Sequence, residues 1–209
     1  MIFLSTNIWF PPVSSASADG MIAIGGDLSV ERLLLAYRSG IFPWYNEGEP
    51  IVWYSPDPRM VLFPKKLRIS KSISQLINKK KFKITFNACF NEVVTHCKTI
   101  NRKDGHGTWI TDEMQKAYTK LHQLGVAKSV EVWLDNKLVG GLYGIDLGTI
   151  FCGESMFSHV SNASKIAFIF LVEKLKNENY SLIDCQVYTG HLESLGAQEI
   201  PRSDFLKYL

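Results

Sequence analysis

The sequence contains no long apolar run and carries little net charge. None of its hydrophobic stretches approaches the roughly 18 uninterrupted apolar residues of a membrane-spanning helix. The first four residues are apolar, but Ser5, Thr6 and Asn7 interrupt them and no basic residue precedes them, which argues against an export signal. A net charge of +3 is too small to indicate a polyanionic partner by itself. We therefore expect a soluble cytoplasmic protein that does not bind membranes.

Cysteine is also scarce, and its spacing argues against two classes of protein. The 209 residues include four cysteines, none of them in a C-x-x-C pair, and five scattered histidines. Disulfide-rich scaffolds and zinc modules both depend on recurring, closely spaced cysteines or histidines. We expect reduced thiols, no metal and no cofactor.

The residues that are present indicate a globular α+β protein. Hydrophobic residues make up 46% of the chain and charged residues 21%, both ordinary values. In the first 60 residues, one helix is predicted between a cap at Ser29 and a stop at Gly40. Residues 41–59 hold four prolines and two tryptophans, and we predict a rigid, irregular segment there.

Beyond residue 60, strands and helices are predicted in a mixed order. Strands are expected at residues 60–63, 82–86, 129–134, 138–145, 149–157 and 181–187, and helices at 70–80, 89–98, 111–124 and 191–195. A further helix, apolar on nearly all sides at 166–175, is expected after a cap at Ser161 or Asn162. Short turns make the strands of 129–157 an antiparallel meander. Meander, buried helix and further strand together are typical of an α+β fold.

Three polar side chains lie inside otherwise apolar predicted strands. Glu154 follows Cys152 and Gly153, and Asp184 and Gln186 flank Cys185. Strand alternation would direct Asp184 and Gln186 to one face. Burying an acid is unfavourable unless it is hydrogen-bonded or has a chemical task. The pattern alone fits a structural hydrogen-bond network and a catalytic centre about equally well.

A basic stretch without any acid lies between residues 65 and 83. It contains eight basic residues: Lys65, Lys66, Arg68, Lys71, Lys79, Lys80, Lys81 and Lys83. A charge run is usually a solvated face. The absence of acids favours instead a strip that binds the phosphates of a nucleic acid without reading its sequence.

Nine short motifs, in order along the chain, carry a specific resemblance. They are GGDL (25–28), GIFPW (40–44), WYSPDPR (53–59), GTWI (107–110), VGGLYGI (139–145), FCGESMFS (151–158), NASK (162–165), LIDCQ (182–186) and SLGA (194–197). Together they closely resemble the bacterial leucyl/phenylalanyl-tRNA–protein transferase family. The match extends over nearly the whole chain.

The resemblance implies an enzyme of the N-degron pathway. Such an aminoacyltransferase moves Leu or Phe, and Met less efficiently, from aminoacyl-tRNA to proteins with N-terminal Arg or Lys, and so marks them for degradation. It also implies a small N-terminal α/β domain, expected at residues 1–62, and a catalytic domain with a fold like that of the acyl-CoA N-acetyltransferases (GNAT-like), expected at 63–209. We expect a monomer.

The resemblance further assigns the site residues. It implies that Glu154, Asp184 and Gln186 form the catalytic centre. Gln186 would orient the amine, because an amide is a poor base, while Asp184 would polarise Gln186 and Glu154 would hold the amine or the ribose. Trp44 and Trp109 would hold the terminal adenine by stacking. The aminoacyl side chain would be bound by Leu142, Phe151, Met156, Phe168, Leu171, Leu175 and Ile183.

Two alternative functions remain open from the residues. An acyl-CoA-dependent N-acetyltransferase would share the core, but it needs a glycine-rich pyrophosphate loop where residues 155–162 are bulky. A non-catalytic tRNA-binding protein would use the basic strip and the tryptophans. It would leave Glu154, Asp184 and Gln186 without a task.

Overall fold

The computed structural model describes residues 2–100 and 109–209, so Gly107 and Thr108 of the GTWI motif lie outside the described part. The strands are β1 (Phe3–Leu4), β2 (Met21–Gly25), β3 (Phe42–Pro43), β4 (Val52–Tyr54), β5 (Arg59–Leu62), β6 (Lys83–Phe86), β7 (Ala127–Leu134), β8 (Lys137–Asp146), β9 (Ile150–Ser158), β10 (Leu182–Gln186) and β11 (Gln198–Ile200). The helices are α1 (Val30–Arg38), α2 (Lys71–Asn78), α3 (Phe90–Thr99), α4 (Asp112–Gln123), α5 (Ala163–Asn177), α6 (Gly190–Ser194) and α7 (Arg202–Phe205).

A small four-stranded sheet, in the order β1-β2-β4-β3, forms the N-terminal part. The prediction of an irregular segment at residues 41–59 is wrong here, because β3 and β4 pair antiparallel within it. Trp53 explains why the segment is ordered as a strand. Its indole is completely buried and donates to the carbonyl of Gly25 at 2.8 Å, which ties β4 to β2.

A seven-stranded sheet, in the order β11-β5-β10-β9-β8-β7-β6, forms the rest of the fold. Strands β7, β8 and β9 are the predicted antiparallel meander, and β10 then pairs parallel to β9. Helix α5 packs on one face of the meander, and α3 and α4 cover the other. The α+β class, with its meander, buried helix and further strand, is confirmed.

Helix α5 lies unusually close to the meander at its first turn. A Cβ atom on Gly140 of β8 would lie 2.5 Å from the Cβ of Ala163. Only glycine therefore allows α5 to begin directly on β8. This contact fixes the start of the helix whose later turns form one wall of the site.

Strand β5 links the two sheets in sequence. Arg59–Leu62 pairs with both β10 and β11, inside the seven-stranded sheet, although the predicted boundary at residue 62 assigns it to the N-terminal domain. The division into 1–62 and 63–209 stays a prediction. Within the described ranges, no helix has both the length and the apolar character needed to cross a membrane.

Candidate active site

A cavity of about 680 Å³ opens where β10 separates from β9. The pairing of the two strands ends at Asp184 and Cys152, although β9 continues to Ser158. Eight residues predicted to bind the donor line this cavity: Trp44, Trp109, Leu142, Phe151, Met156, Phe168, Leu171 and Ile183. The apolar wall comes from β8, β9, β10 and α5, and the tryptophans come from segments outside the meander.

Leu175 is the one predicted donor-binding residue that does not line the cavity. It lies on α5 and its side chain is buried in the hydrophobic core. It follows Leu171 by one helical turn, which places it about 6 Å further along the helix axis. That distance takes it past the end of the cavity, so its role is packing.

Glu154 and Gln186 are among the polar residues of the cavity wall. They lie two residues beyond Cys152 and Asp184, respectively, the last pair between β9 and β10. The Nε2 of Gln186 donates to Oε1 of Glu154 at 2.9 Å. The Oε2 of Glu154 accepts from the hydroxyl of Tyr118 at 2.8 Å, and Tyr118 in turn contacts the hydroxyl of Tyr37. With its amide nitrogen turned to Glu154, Gln186 has its amide oxygen directed to the other side.

Burial raises the pKa of Glu154 to about 8. The hydrogen bonds from Tyr118, Tyr37 and Gln186 act in the opposite direction, since they stabilise the ionised carboxylate. A carboxyl group with a pKa near neutrality can gain or lose a proton under physiological conditions. This is the property expected of a group that takes part in proton transfer.

The backbone of Gln186 is strained. Its φ is +63°, a left-handed value that non-glycine residues rarely adopt. The N–H of Val187 donates to the carbonyl of Cys185 at 2.8 Å, so Gln186 is the central residue of a γ-turn with positive φ, an uncommon and strained conformation. Strained residues of this kind cluster at functional sites.

The expectation that Asp184 and Gln186 share one face of the strand is wrong. The register of β10 against β5 shifts between them, so Cys185 is an extra, bulged residue. The bulge turns Gln186 to the cavity, together with Ile183 and Cys185, whereas Asp184 does not line it. Regular alternation could not have predicted this arrangement.

Asp184 lies behind the cavity wall in a buried ion pair. Its carboxylate accepts hydrogen bonds from Nε and Nη2 of Arg59, both with donor–acceptor distances of 2.7 Å. Each of the two residues is 1% exposed. The same Oδ1 also accepts the backbone N–H of Gln186 at 2.9 Å. Asp184, Gln186 and Glu154 thus form one connected network, as predicted, but only the last two face the cavity.

Some polar side chains in and around the site were not among the predicted site residues. Tyr37 and Tyr118 bind Glu154 or its partner, and Arg59 binds Asp184. His191 lines the cavity with a buried Nε2 that has no hydrogen-bond partner in the described structure, and burial lowers its pKa. The tyrosines had no local signal, because they look like ordinary core residues of α1 and α4.

The eight basic residues of the predicted strip are all exposed. None of them forms a salt bridge within the described ranges. The backbone N–H of Arg68, in the strip, donates to the carbonyl of Leu195, just after α6. A Cβ at Gly196 would lie 2.3 Å from the carbonyl of Lys66, so this close approach requires glycine.

Comparison with known proteins decides the family. The family model for leucyl/phenylalanyl-tRNA protein transferase matches residues 61–209, and the model for the N-terminal domain of that transferase matches residues 26–57. The chain belongs to the leucyl/phenylalanyl-tRNA–protein transferase family. The relative from Flavobacterium johnsoniae is 62% identical over 209 residues, 100% of this chain and 99% of its own. The relative from Flavobacterium psychrophilum is 57% identical over the same shares of both chains.

Among solved structures, this member of the transferase family is similar to a ribosomal-protein-alanine N-acetyltransferase from Brucella melitensis. The identity is 14% and the TM-score is 0.36, over 54% of this chain and 84% of the other. In the part of the chain that the structure describes, no group of three or more His, Cys, Asp or Glu side chains could hold a metal ion.

Proposed function

We propose that the protein transfers Leu or Phe, and Met less efficiently, from aminoacyl-tRNA to the α-amino group of proteins with N-terminal Arg or Lys. The observation that carries this proposal is the adjacency of a large apolar cavity and the Glu154–Gln186 pair. A leucyl or phenylalanyl group esterified to a ribose has an apolar side chain at one end and a reactive ester carbonyl at the other. The cavity offers an apolar wall to the first and polar groups to the second.

The reaction needs positioning more than activation, since an aminoacyl ester is already activated. The amine nitrogen attacks the ester carbonyl carbon, the bond from that carbon to the ribose oxygen breaks, and the leaving oxygen takes up the proton that the amine loses. In this proposal the amide oxygen of Gln186 accepts a hydrogen bond from the amine and directs its lone pair to the carbonyl. Glu154 holds the Gln186 amide in that orientation.

The donor is held at two places. The apolar wall, with Leu142, Met156 and Leu171, binds the side chain of Leu or Phe. Methionine adapts its shape readily, which suits a pocket that accepts two different side chains. Apolar pockets separate similar side chains by only ~1–3 kcal/mol, so some transfer of Met is expected. Trp44 and Trp109 stack on the terminal adenine.

The tRNA body binds to the basic strip. Its eight cations are exposed and none of them forms a salt bridge within the described ranges, which leaves their charges available for phosphates. The backbone contact between Arg68 and Leu195, just after α6, supports a path from the strip to the acceptor end of a tRNA. In this role the protein acts as a monomer in the cytoplasm and marks its acceptors for degradation.

A transfer assay tests the function. The protein is incubated with labelled Leu-tRNA, Phe-tRNA or acetyl-CoA and a peptide that begins with Arg, and label on the peptide is counted. Transfer from both tRNAs and none from acetyl-CoA is expected. Transfer from acetyl-CoA alone would identify an acetyltransferase, and tRNA binding without any transfer would identify a binding module. A peptide that begins with Glu serves as the acceptor control.

A further inference from the structure

The guanidinium of Arg59 lies at a junction of the fold. It sits between the rings of Phe42 and Phe205, at 4.8 and 4.7 Å from their centres. Its Nη1 donates to the carbonyl of Gly40 at 3.2 Å, and its Nε and Nη2 hold Asp184. Each nitrogen of the fork therefore has a partner. Lysine could not make this set of contacts, because it lacks the planar fork.

We infer that Arg59 is a positioning residue for the transfer reaction, which acts through Asp184 to hold Gln186 in its strained, cavity-facing conformation. This inference rests on the proposed role of Gln186 in orienting the amine. Arg59 itself does not line the cavity.

The first step of the argument is the strain at Gln186. A left-handed φ at a residue other than glycine is unfavourable and persists only where the surroundings impose it. Two hydrogen bonds impose it here. One closes the γ-turn from Val187 to Cys185, and the other runs from the N–H of Gln186 to Oδ1 of Asp184.

The second step concerns what fixes Asp184. Its Oδ1 accepts both the Gln186 N–H and the Nε of Arg59, while Oδ2 accepts Nη2. The bidentate pair defines the plane of the carboxylate. Without Arg59 the carboxylate would be a buried, unpaired charge that is free to rotate, and the geometry at Gln186 would be lost.

The third step is energetic. A buried ion pair is weak evidence for stability, since well-packed apolar residues are often at least as stable in the same place. The more direct effect of this ion pair is that it fixes the orientation of the Asp184 carboxylate. Arg59 also binds the carbonyl of Gly40 and packs on Phe42, which lies two residues before Trp44. The same side chain therefore connects the segment of the adenine-stacking tryptophan to the strand of Gln186.

The test compares R59Q with R32Q by hydrogen exchange in ¹⁵N-labelled protein. Arg32 is a matched control, because it is also fully buried and also binds backbone carbonyls and an aspartate, but in α1 and away from the cavity. In R59Q the backbone N–H of Gln186 should exchange at least about tenfold faster relative to the other backbone N–H groups of β10. In R32Q that ratio should equal the wild-type ratio. An unchanged ratio in R59Q would overturn the inference.

A second measurement uses transfer kinetics and covers the case in which R59Q does not fold. R59Q/D184N removes both charges of the buried ion pair, whereas R59Q alone leaves Asp184 without its partner and D184N alone leaves Arg59 without its partner. If Arg59 acts through Asp184, the double variant has the kcat of D184N within about threefold, with KM for Leu-tRNA near wild type. A further drop in kcat beyond about tenfold would show that Arg59 acts independently and contradict the inference. Hydrogen exchange of Gln186 in the double variant needs no substrate, so an inactive wild-type protein overturns the proposed function and leaves this inference testable.

Discussion

The side-chain amide of Gln186 donates to the carboxylate of Glu154 at 2.9 Å, across the opening between β10 and β9. This contact determines which end of the amide faces the donor. If Glu154 presents an acceptor oxygen, the amide nitrogen of Gln186 points to it and the amide oxygen is available to the incoming amine.

Replacing Glu154 by Ala should lower kcat for transfer by about 100-fold, which is the usual effect of losing one positioned polar group. The Gln186 amide then has no partner and no fixed orientation. The affinity for Leu-tRNA, measured by filter binding, should change little. Glu131→Gln is a matched control, because Glu131 is a buried carboxylate of the same sheet that binds Thr85 and Ser129 away from the cavity. A normal kcat in Glu154→Ala would remove Glu154 from the mechanism.

The raised pKa of Glu154 predicts how stability varies with pH. The pKa is about 8 in the folded protein against 4.5 for an ordinary glutamate, so the folded state binds the proton more tightly than the unfolded state. The corresponding stability is complete below pH 4.5 and is lost as the pH rises to about 8. Glu154→Gln should abolish this loss. Its Tm relative to wild type should rise between pH 5 and about 8 and then level off, whereas a constant difference would refute the assignment.

Two leucines on α5 offer a paired test of the donor pocket. Leu171 lines the cavity and Leu175 does not, although both are nearly inaccessible to solvent. Leu171→Ala should enlarge the pocket and raise the ratio of Phe to Leu transfer by about tenfold, within the ~1–3 kcal/mol range of such apolar changes. Leu175→Ala should reduce the free energy of unfolding by about 2–5 kcal/mol without changing that ratio. Equal effects on the ratio would place the donor elsewhere.

The basic strip predicts a specific salt dependence. Replacing Lys79, Lys80 and Lys81 by Ala should weaken tRNA binding and reduce the slope of log K against log salt by about two to three, because each lost phosphate contact removes roughly 0.7–0.9. The control replaces three exposed lysines outside the strip, Lys120, Lys137 and Lys176. If both triple variants have the same slope, the strip is only a solvated face.

Local patterns predicted most of the elements around the site. The side chain at the predicted helix cap, Ser29, accepts a backbone N–H at the start of α1. The alternating strands of the meander and the apolar helix α5 were also predictable, since each depends on residues close together in the chain. Strands β3 and β4 were missed because prolines surround short aromatic pairs whose burial comes from distant contacts.

The polar network shows where local reasoning ends. The composition of LIDCQ identified Asp184 and Gln186, but the bulge at Cys185 depends on pairing with β5, which lies more than 120 residues away. The role of Arg59 has the same origin. Arg59 is the first residue of the buried strand β5, and only the assembled sheet gives it Asp184 as a partner.

The most direct test of the account is a crystal structure with phenylalanyl-adenosine in which a 3′ amide replaces the ester. The account predicts the phenyl ring against Leu142, Met156 and Leu171, the adenine against Trp44 and Trp109, and the amide carbonyl next to Gln186. A ring bound outside this cavity, or an intact cavity that stays empty while the compound binds elsewhere, would contradict it.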